Sequence, residues 1–263
     1  MPTPPGAGRR AALICKAMST PTAAVLVVGN EVLSAKVRDE NGFYAALVLR
    51  KRGVRLEAIL TLPDRPDVLE EAIARERARV DWLFTSGGVG PTHDDVTMLA
   101  VARALRCPIA RHPVLAENIR AFYRRRGGEA PEAALRMADV PERTRLFGER
   151  SHPVLLVENV VILPGPPQLF QRQLDAFAIA LDAPPFRIAC VYLALGEDRF
   201  APDLDRVARE HPDVEIGSYP RFDNADHRVK VTFESKDLSR VEEATRAFIA
   251  ALPEGAVVRF EPA

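Results

Sequence analysis

Mainly apolar runs alternate with amphipathic segments over roughly the first two thirds of the chain. The apolar runs at 23–28, 54–62 and 80–84 predict strands buried in a sheet that is covered on both faces. Between and after them, apolar residues recur at helical spacing and predict helices at 41–51, 67–79, 97–106, 112–126, 131–137 and from the 163–168 turn to 181. Strands that alternate with helices predict an α/β fold, here a three-layer sandwich with a mostly parallel sheet.

The pattern changes towards the C-terminus. Two apolar runs around Glu158 and Asn159 predict a hairpin whose antiparallel strands join the sheet edge. After a proline-containing linker at 182–185, the order strand, helix, strand, strand, helix, strand predicts a small α+β module of the ferredoxin-like type. We therefore expect a disordered tail at 1–22, rich in Pro, Gly, Ala and Arg, a main domain at 23–181 and a C-terminal domain at 186–260.

The stretch from Asp81 to Thr97 holds the main candidate site. Three glycines follow the predicted strand, at Gly87, Gly88 and Gly90. Asp94, Asp95 and Thr97 then stand at the start of a predicted helix. A glycine loop that ends at a helix N-terminus offers backbone N–H groups and the positive end of the helix dipole to an anion. Two adjacent carboxylates add oxygen ligands of the kind that magnesium or manganese prefers. The stretch therefore predicts a phosphate and metal site.

A simpler interpretation of the same residues stays open. The glycines can make a tight turn and one aspartate can be an ordinary helix N-cap. The spacing is neither the G-x-G-x-x-G of a dinucleotide-binding fold nor a Walker loop, because no Gly-Lys-Ser/Thr follows.

Further candidates lie where other elements end. Gly29, Asn30 and Glu31 follow the first strand, and open α/β sheets place ligands at such carboxyl ends. Asp64 ends the second strand; taken alone it is a turn former, as Glu31 taken alone is a solvated loop carboxylate. The segment at 163–168 has proline at the first helical turn, and its glycine exposes N–H groups there; its candidates are Pro164 and Gly165.

Composition narrows the function classes. The chain has 263 residues with 36 basic and 36 acidic side chains, so its zero net charge argues against broad binding to nucleic acid or an anionic membrane. Cys15, Cys107 and Cys190 are single and far apart, which predicts neither a zinc site nor a disulfide framework and fits a reducing cytoplasm. No apolar run approaches the roughly 20 residues that span a bilayer.

The run from Thr85 to Thr97 resembles the signature of the MoaB/Mog-like molybdopterin-binding domain. It is most similar to the form found in competence/damage-inducible protein A (CinA) and in the N-terminal domain of eukaryotic FAD synthases, Gly-Gly-x-Gly-Pro-Thr-x-Asp-Asp-x-Thr. The segments at 29–33, 163–167 and 217–220 resemble further motifs of these groups. Two departures are Ala35, where relatives commonly have glycine, and Gln168-Leu169, where they often have glutamate.

The resemblance implies metal-dependent hydrolysis of a nucleotide diphosphate bond, of the ADP-ribose or FAD type. Asp95 and Asp64 would be catalytic, and Asp94, Asp95 and Glu31 would hold a divalent cation: Mg, Mn or Co. The residues expected to bind phosphate or nucleotide are Gly87, Gly88, Gly90, Thr92, Thr97, Gly29, Asn30, Pro164 and Gly165. Asp95→Ala is then expected to abolish hydrolysis and leave the fold intact.

Two alternatives use the same loop. One is molybdopterin binding or adenylylation, with molybdopterin as the ligand, and the other is a nucleotide-binding protein without turnover. Under each of them the partner is a small-molecule nucleotide or pterin phosphate. The resemblance also implies a homo-oligomer.

Overall fold

The computed structural model describes residues 20–223 and 226–263. These fall into two compact units, divided between Ala183 and Pro184. The tail expected at 1–22 lies mostly outside the described residues. Its last residue does not belong to a tail, because Thr22 begins the first strand and its backbone N–H donates to Asp81 Oδ2 at 2.9 Å.

A six-stranded sheet forms the centre of the first unit, with strand order β2-β1-β3-β8-β7-β6. The strands of this unit are β1 (Thr22–Val28), β2 (Arg55–Leu62), β3 (Trp82–Ser86), β4 (Ile109–Arg111), β5 (Asp139–Pro141), β6 (Arg145–Phe147), β7 (Val154–Val157) and β8 (Val160–Leu163). Strands β2, β1, β3 and β8 are parallel, whereas β7 is antiparallel to both of its neighbours. The predicted mostly parallel sheet is confirmed.

Helices cover both faces of this sheet. The helices of the unit are α1 (Asn30–Leu33), α2 (Asn41–Lys51), α3 (Pro66–Arg77), α4 (Thr97–Ala104), α5 (Pro113–Arg125), α6 (Glu132–Leu135) and α7 (Pro167–Ala178). On one face α2 and α7 contribute to an apolar core that includes Phe84 and Phe170. On the other face α3 and α4 pack on a second core that includes Leu26 and Val101. The three-layer sandwich follows from these two cores.

The predicted hairpin forms, but its place in the sheet differs from the expectation. β8 lies inside the sheet and pairs in parallel with β3, so only β7 adds an antiparallel strand beside it. All four residues of β8 are buried, and such a strand is stable when it is paired on both sides. The edge strand is β6, which the sequence pattern did not predict because it has only three residues.

The second unit is a four-stranded antiparallel sheet with two helices. Its elements are β9 (Arg187–Leu193), α8 (Ala201–Glu210), β10 (Glu215–Pro220), β11 (Val229–Ser235), α9 (Leu238–Ala251) and β12 (Val257–Glu261). The strand order β10-β11-β9-β12 places the two halves of a split βαβ arrangement around β9 and β11, so the predicted ferredoxin-like module is confirmed. Among the described residues, no helix is long and apolar enough to cross a membrane.

Candidate functional site

The candidate loops meet at the carboxyl ends of β1, β3 and β8. These strands are adjacent and parallel, and the register pairs Val27 with Ser86 and Ser86 with Leu163. The loops that follow them, which begin at Gly29, Gly87 and Pro164, therefore emerge side by side. The Gly87 N–H donates to the Leu163 carbonyl at 3.2 Å. The fold thus brings together three of the segments that the sequence singled out separately.

Gly87 packs between the end of β1 and the loop after β8. Its φ is +98°, which favours glycine, and a Cβ there would overlap the Val28 carbonyl oxygen. From the other side, a Cβ placed on Gly165 would lie 3.4 Å from the Gly87 Cα. The backbone at this point leaves no room for a side chain.

Asp95 holds the glycine loop in shape. Its Oδ1 accepts the Gly90 N–H at 2.6 Å, and its Oδ2 accepts the Thr92 N–H at 2.8 Å and the Thr92 hydroxyl at 2.5 Å. Both carboxylate oxygens, which the sequence assigned to metal and catalysis, are therefore engaged by the loop itself. Asp95 therefore stabilises the conformation of the glycine loop, a role that the sequence did not predict.

Thr97 supports the same loop from beneath. It is fully buried, its hydroxyl donates to the Gly87 carbonyl at 2.8 Å, and its N–H donates to the Gly88 carbonyl at 2.9 Å. A Cβ on Gly88 would overlap that hydroxyl. Because Thr97 has no exposed surface, it acts on a phosphate only through the loop that it positions.

The other candidate acids lie around the loops. Asp64 Oδ2 accepts the Asn30 N–H at 2.8 Å, which ties the turn after β2 to the turn after β1. The Glu31 carboxylate folds over Gly29, where a Cβ would overlap it. Asp94 is 58% exposed, and hydrogen bonding by the Thr92 side chain lowers the pKa of its carboxyl group. His93 beside it is almost fully exposed.

These acids do not form a preformed metal-binding site. Among the residues that the structure describes, no three His, Cys, Asp or Glu side chains are grouped so that they could hold a metal ion. Glu31, Asp64, Asp94 and Asp95 share one edge of the sheet and its loops without meeting that condition. Any ion here would take other ligands from water or from the molecule that it binds.

Asn41 is a site residue that sequence reasoning missed. It is the first residue of α2 and is 6% exposed. Its Nδ2 donates to the Ser86 hydroxyl at 2.8 Å and to the Gly165 carbonyl at 2.7 Å, so it joins the end of β3 to the loop after β8. Among the described residues its Oδ1 has no hydrogen-bond partner. The one feature of the nearby sequence that marks this position is Asp39, a residue type that often precedes a helix; its Oδ1 accepts the Asn41 and Gly42 N–H groups at the start of α2.

Ala35 keeps a backbone conformation that suits the glycine of its relatives. Its φ is +57°, in the left-handed region. An alanine there costs about 1 kcal/mol relative to glycine. The turn after α1 is therefore present in this chain despite the substitution.

A cavity of about 230 Å³ lies beside the glycine loop. Val89, which is between Gly88 and Gly90, forms part of its wall, and so does Pro164. The remaining wall is mostly apolar and has four polar side chains: Met98, Leu115, Ile119, Met137, Pro153, Leu155 and Ile162, with Asn118, Ser151, His152 and Gln173. No pattern along the sequence indicated this cavity.

Two family models match the chain. Residues 24–183 match the model described as "Probable molybdopterin binding domain", and residues 185–261 match "FAD synthase, middle domain". The resemblance to the MoaB/Mog-like domain, CinA and FAD synthases is confirmed.

Individual relatives agree with these matches. An Archaeoglobus fulgidus protein of no stated function is 29% identical over 85% of this chain and 95% of its own length. A Caenorhabditis elegans protein named "Probable FAD synthase" is 30% identical over 91% of this chain. This chain spans about half of that relative, 51% of its length. The crystal structure of CinA from Thermoplasma acidophilum, a protein of unknown function, covers 62% of this chain and 99% of its own with a TM-score of 0.56 at 24% identity, which shows a shared fold.

Proposed function

This chain belongs to the family of probable molybdopterin-binding domains, and we propose that its first unit binds a nucleotide or pterin by its phosphates and hydrolyses a diphosphate bond. The observation that supports this most strongly is the contact of the glycine loop with the loop after β8. Both are held at the carboxyl edge of a parallel sheet, where open α/β folds place ligands.

Phosphate binding follows from the backbone. At Gly165 the chain has no side chain, and a Cβ there would meet no atom nearer than 3.4 Å, so an anion can approach the main chain at this point. The glycine loop is held by bonds within the chain, from the Asp95 carboxylate and from the Thr97 hydroxyl. A preorganised loop loses little conformational entropy on binding, which favours affinity.

We propose that a divalent cation accompanies the ligand. Without a cluster of three acids, the residues present suit a magnesium-like ion, which takes one or two carboxylates and completes its shell with phosphate oxygens and water. Asp94 and Glu31 would supply those carboxylates. The ion would neutralise charge on the phosphates and lower the pKa of a water molecule.

Asp94 is the carboxylate most available to the cation. Asp95 has both oxygens engaged by the loop, and one oxygen of Asp64 accepts the Asn30 N–H. Asp94 is 58% exposed and hydrogen bonding lowers the pKa of its carboxyl group, so near neutral pH it is ionised and would serve as a ligand to the cation.

Binding without turnover is a second candidate, and the engagement of both Asp95 oxygens by the loop favours it, because this carboxylate is then less available for catalysis. In that case the same loops would hold a nucleotide or a molybdopterin, and the FAD synthase-like second unit would accompany a carrier or regulatory domain.

The test is AMP release from ADP-ribose, FAD, NADH and adenylylated molybdopterin, with Mg, Mn or Co and with EDTA as a control. We expect metal-dependent release from one diphosphate, and Asp94→Asn should slow it at least tenfold. Asp205→Asn, at an exposed position in the second unit, is the matched control and should leave the rate unchanged. Ligand-induced stabilisation without release would establish the binding protein instead.

A further inference from the structure

Helix α2 carries large apolar side chains on the face that points away from the core. Its inner face consists of Ala45 and Leu49, which are fully buried in the core that α2 shares with α7. On its outer face Phe43 is 69% exposed and Leu47 is 43% exposed. The outer face of a surface helix is normally polar, so two large apolar side chains one turn apart on this face are unusual.

Strand β2 widens this apolar surface. Among the described residues β2 is an edge strand of the six-stranded sheet. Its Ile59 is 41% exposed, and a Cβ on Gly42 would lie 2.9 Å from the Ile59 Cγ2, so this side chain packs beside the start of α2. Contiguous apolar surface on a soluble protein often marks a site where another protein binds.

Charged residues flank the apolar pair of α2 in a self-complementary order. Glu40 directly precedes the helix and Arg50 stands in its last turn, and both are exposed. Glu40, Phe43, Leu47 and Arg50 follow one another at intervals of three, four and three residues. This spacing places the four side chains in one line along the helix, here called the α2 stripe, which is acidic at one end, apolar in the middle and basic at the other end.

A second copy of the α2 stripe fits the first when the two helices run antiparallel. Positions 43 and 47 are symmetric about residue 45, so a two-fold axis near Ala45 pairs Phe43 of each copy with Leu47 of the other. Positions 40 and 50 are symmetric about the same residue, so the axis also places Glu40 of each copy against Arg50 of the other. A parallel pair would bring like charges together instead. The charge order therefore favours an isologous, antiparallel contact.

We propose that this chain forms a two-fold symmetric dimer in which the α2 stripe packs against the α2 stripe of a second copy. The helix has 11 residues and is about 16 Å long, so two such helices bury less than the roughly 800 Å² per copy that is usual in stable complexes. We therefore expect a weak dimer, with a dissociation constant on the order of 10–100 µM. This proposal does not depend on the function proposed for the glycine loop.

Sedimentation velocity of the full chain from about 1 µM to about 300 µM tests the proposal, and we expect a shift from monomer to dimer over this range. Phe43→Ser should stay monomeric throughout, because it removes a large apolar side chain from both halves of the contact. Its urea midpoint, measured on the dilute monomer, should stay native because Phe43 is mostly exposed. Phe222→Ser is the matched control: Phe222 is 93% exposed in the second unit, and this variant should dimerise as the native chain does.

Two charge variants test the antiparallel pairing. Glu40→Arg and Arg50→Glu each place like charges against each other at both ends of the contact, and each should weaken dimerisation at least tenfold. An equal mixture of the two variants should dimerise about as tightly as the native chain, because one copy then has two positive ends and the other has two negative ends. Contacts within one chain cannot produce this recovery. Arg125→Glu makes the same charge change in the last turn of α5 and should leave dimerisation unchanged.

Three results would overturn the proposal. The first is a native chain that stays monomeric up to about 300 µM. The second is a dimer that Phe43→Ser leaves intact, since the contact would then lie elsewhere. The third is a mixture of the charge variants that associates as weakly as either variant alone. Each of these results leaves the proposed function standing, because AMP release and pyrophosphate binding are measured separately.

Discussion

Replacement of Asp95 by asparagine separates support of the glycine loop from the proposed metal binding. In the native loop the carboxylate accepts three hydrogen bonds, from the Gly90 N–H and from the N–H and hydroxyl of Thr92. An asparagine keeps one acceptor oxygen, which can serve Gly90. Its NH2 group faces the Thr92 N–H, so donor meets donor and that bond is lost, whereas the Thr92 hydroxyl can rotate to accept from the NH2 group.

The size of the effect follows from the lost bond and from the loss of charge in the other two bonds. A hydrogen bond to a charged group contributes about 1.5–3 kcal/mol, and the half-exposed position of Asp95 places each bond at or below the low end of that range. The free energy that favours the closed loop over the open loop should therefore fall by about 2–3 kcal/mol. This raises the population of the open loop roughly 30- to 150-fold. The melting temperature should also fall, by roughly 4–12 °C, because unfolding breaks the same bonds.

Hydrogen exchange measured by mass spectrometry checks this directly. Peptides that cover residues 87–97 should exchange roughly 30- to 150-fold faster in Asp95→Asn than in the native chain. Asp205→Asn, at an exposed position in the second unit, is the control and should leave exchange of the same peptides unchanged. Pyrophosphate affinity should fall in Asp95→Asn even in EDTA. Native protection of Gly90 and Thr92 in that variant would refute the role of Asp95 as the support of the loop.

Three further changes test other parts of the structure. Gly87→Ala forces a Cβ onto the Val28 carbonyl at φ +98° and should cost about 2 kcal/mol or more in urea unfolding; a loss below 0.5 kcal/mol would contradict the close contact. Asn41→Ala removes the hydrogen-bond partner of the buried Ser86 hydroxyl and of the half-buried Gly165 carbonyl, and should cost about 1–3 kcal/mol in the same assay, with weaker pyrophosphate binding; native affinity would show that binding does not need the Asn41 side chain between the loops. The Arg240 side chain lowers the pKa of Asp213 to about 2, so this carboxylate stabilises the fold above its unfolded pKa of 3.8 and the stabilisation is lost as pH falls towards 2. Urea unfolding of Asp213→Asn should therefore differ from that of the native chain at pH 6 and converge with it near pH 2, and a difference that persists at pH 2 would contradict this assignment.

The sequence determined the parts of this protein that depend on neighbouring residues. The strand, glycine loop and helix of residues 82–104 follow from apolar runs, from φ angles open to glycine and from helix-start residues, all within one short segment. The order of strands and helices after residue 186 specified the ferredoxin-like module for the same reason. Local rules also placed Gly29, Gly87 and Gly165 at ends of strands, and parallel pairing then made them neighbours.

Only the tertiary structure decided what the side chains at this edge do. Asn41 joins residues 45 and 124 positions away, and no local pattern carries that information. The cavity has the same origin, because its walls come from segments that meet only when the sheet and helices pack. Asp95 and Thr97 stand in the expected motif, yet in the folded chain their side chains form hydrogen bonds to the glycine loop, and Thr97 is buried. A sequence fixes which chemical groups are present, whereas packing fixes which of them a ligand can reach.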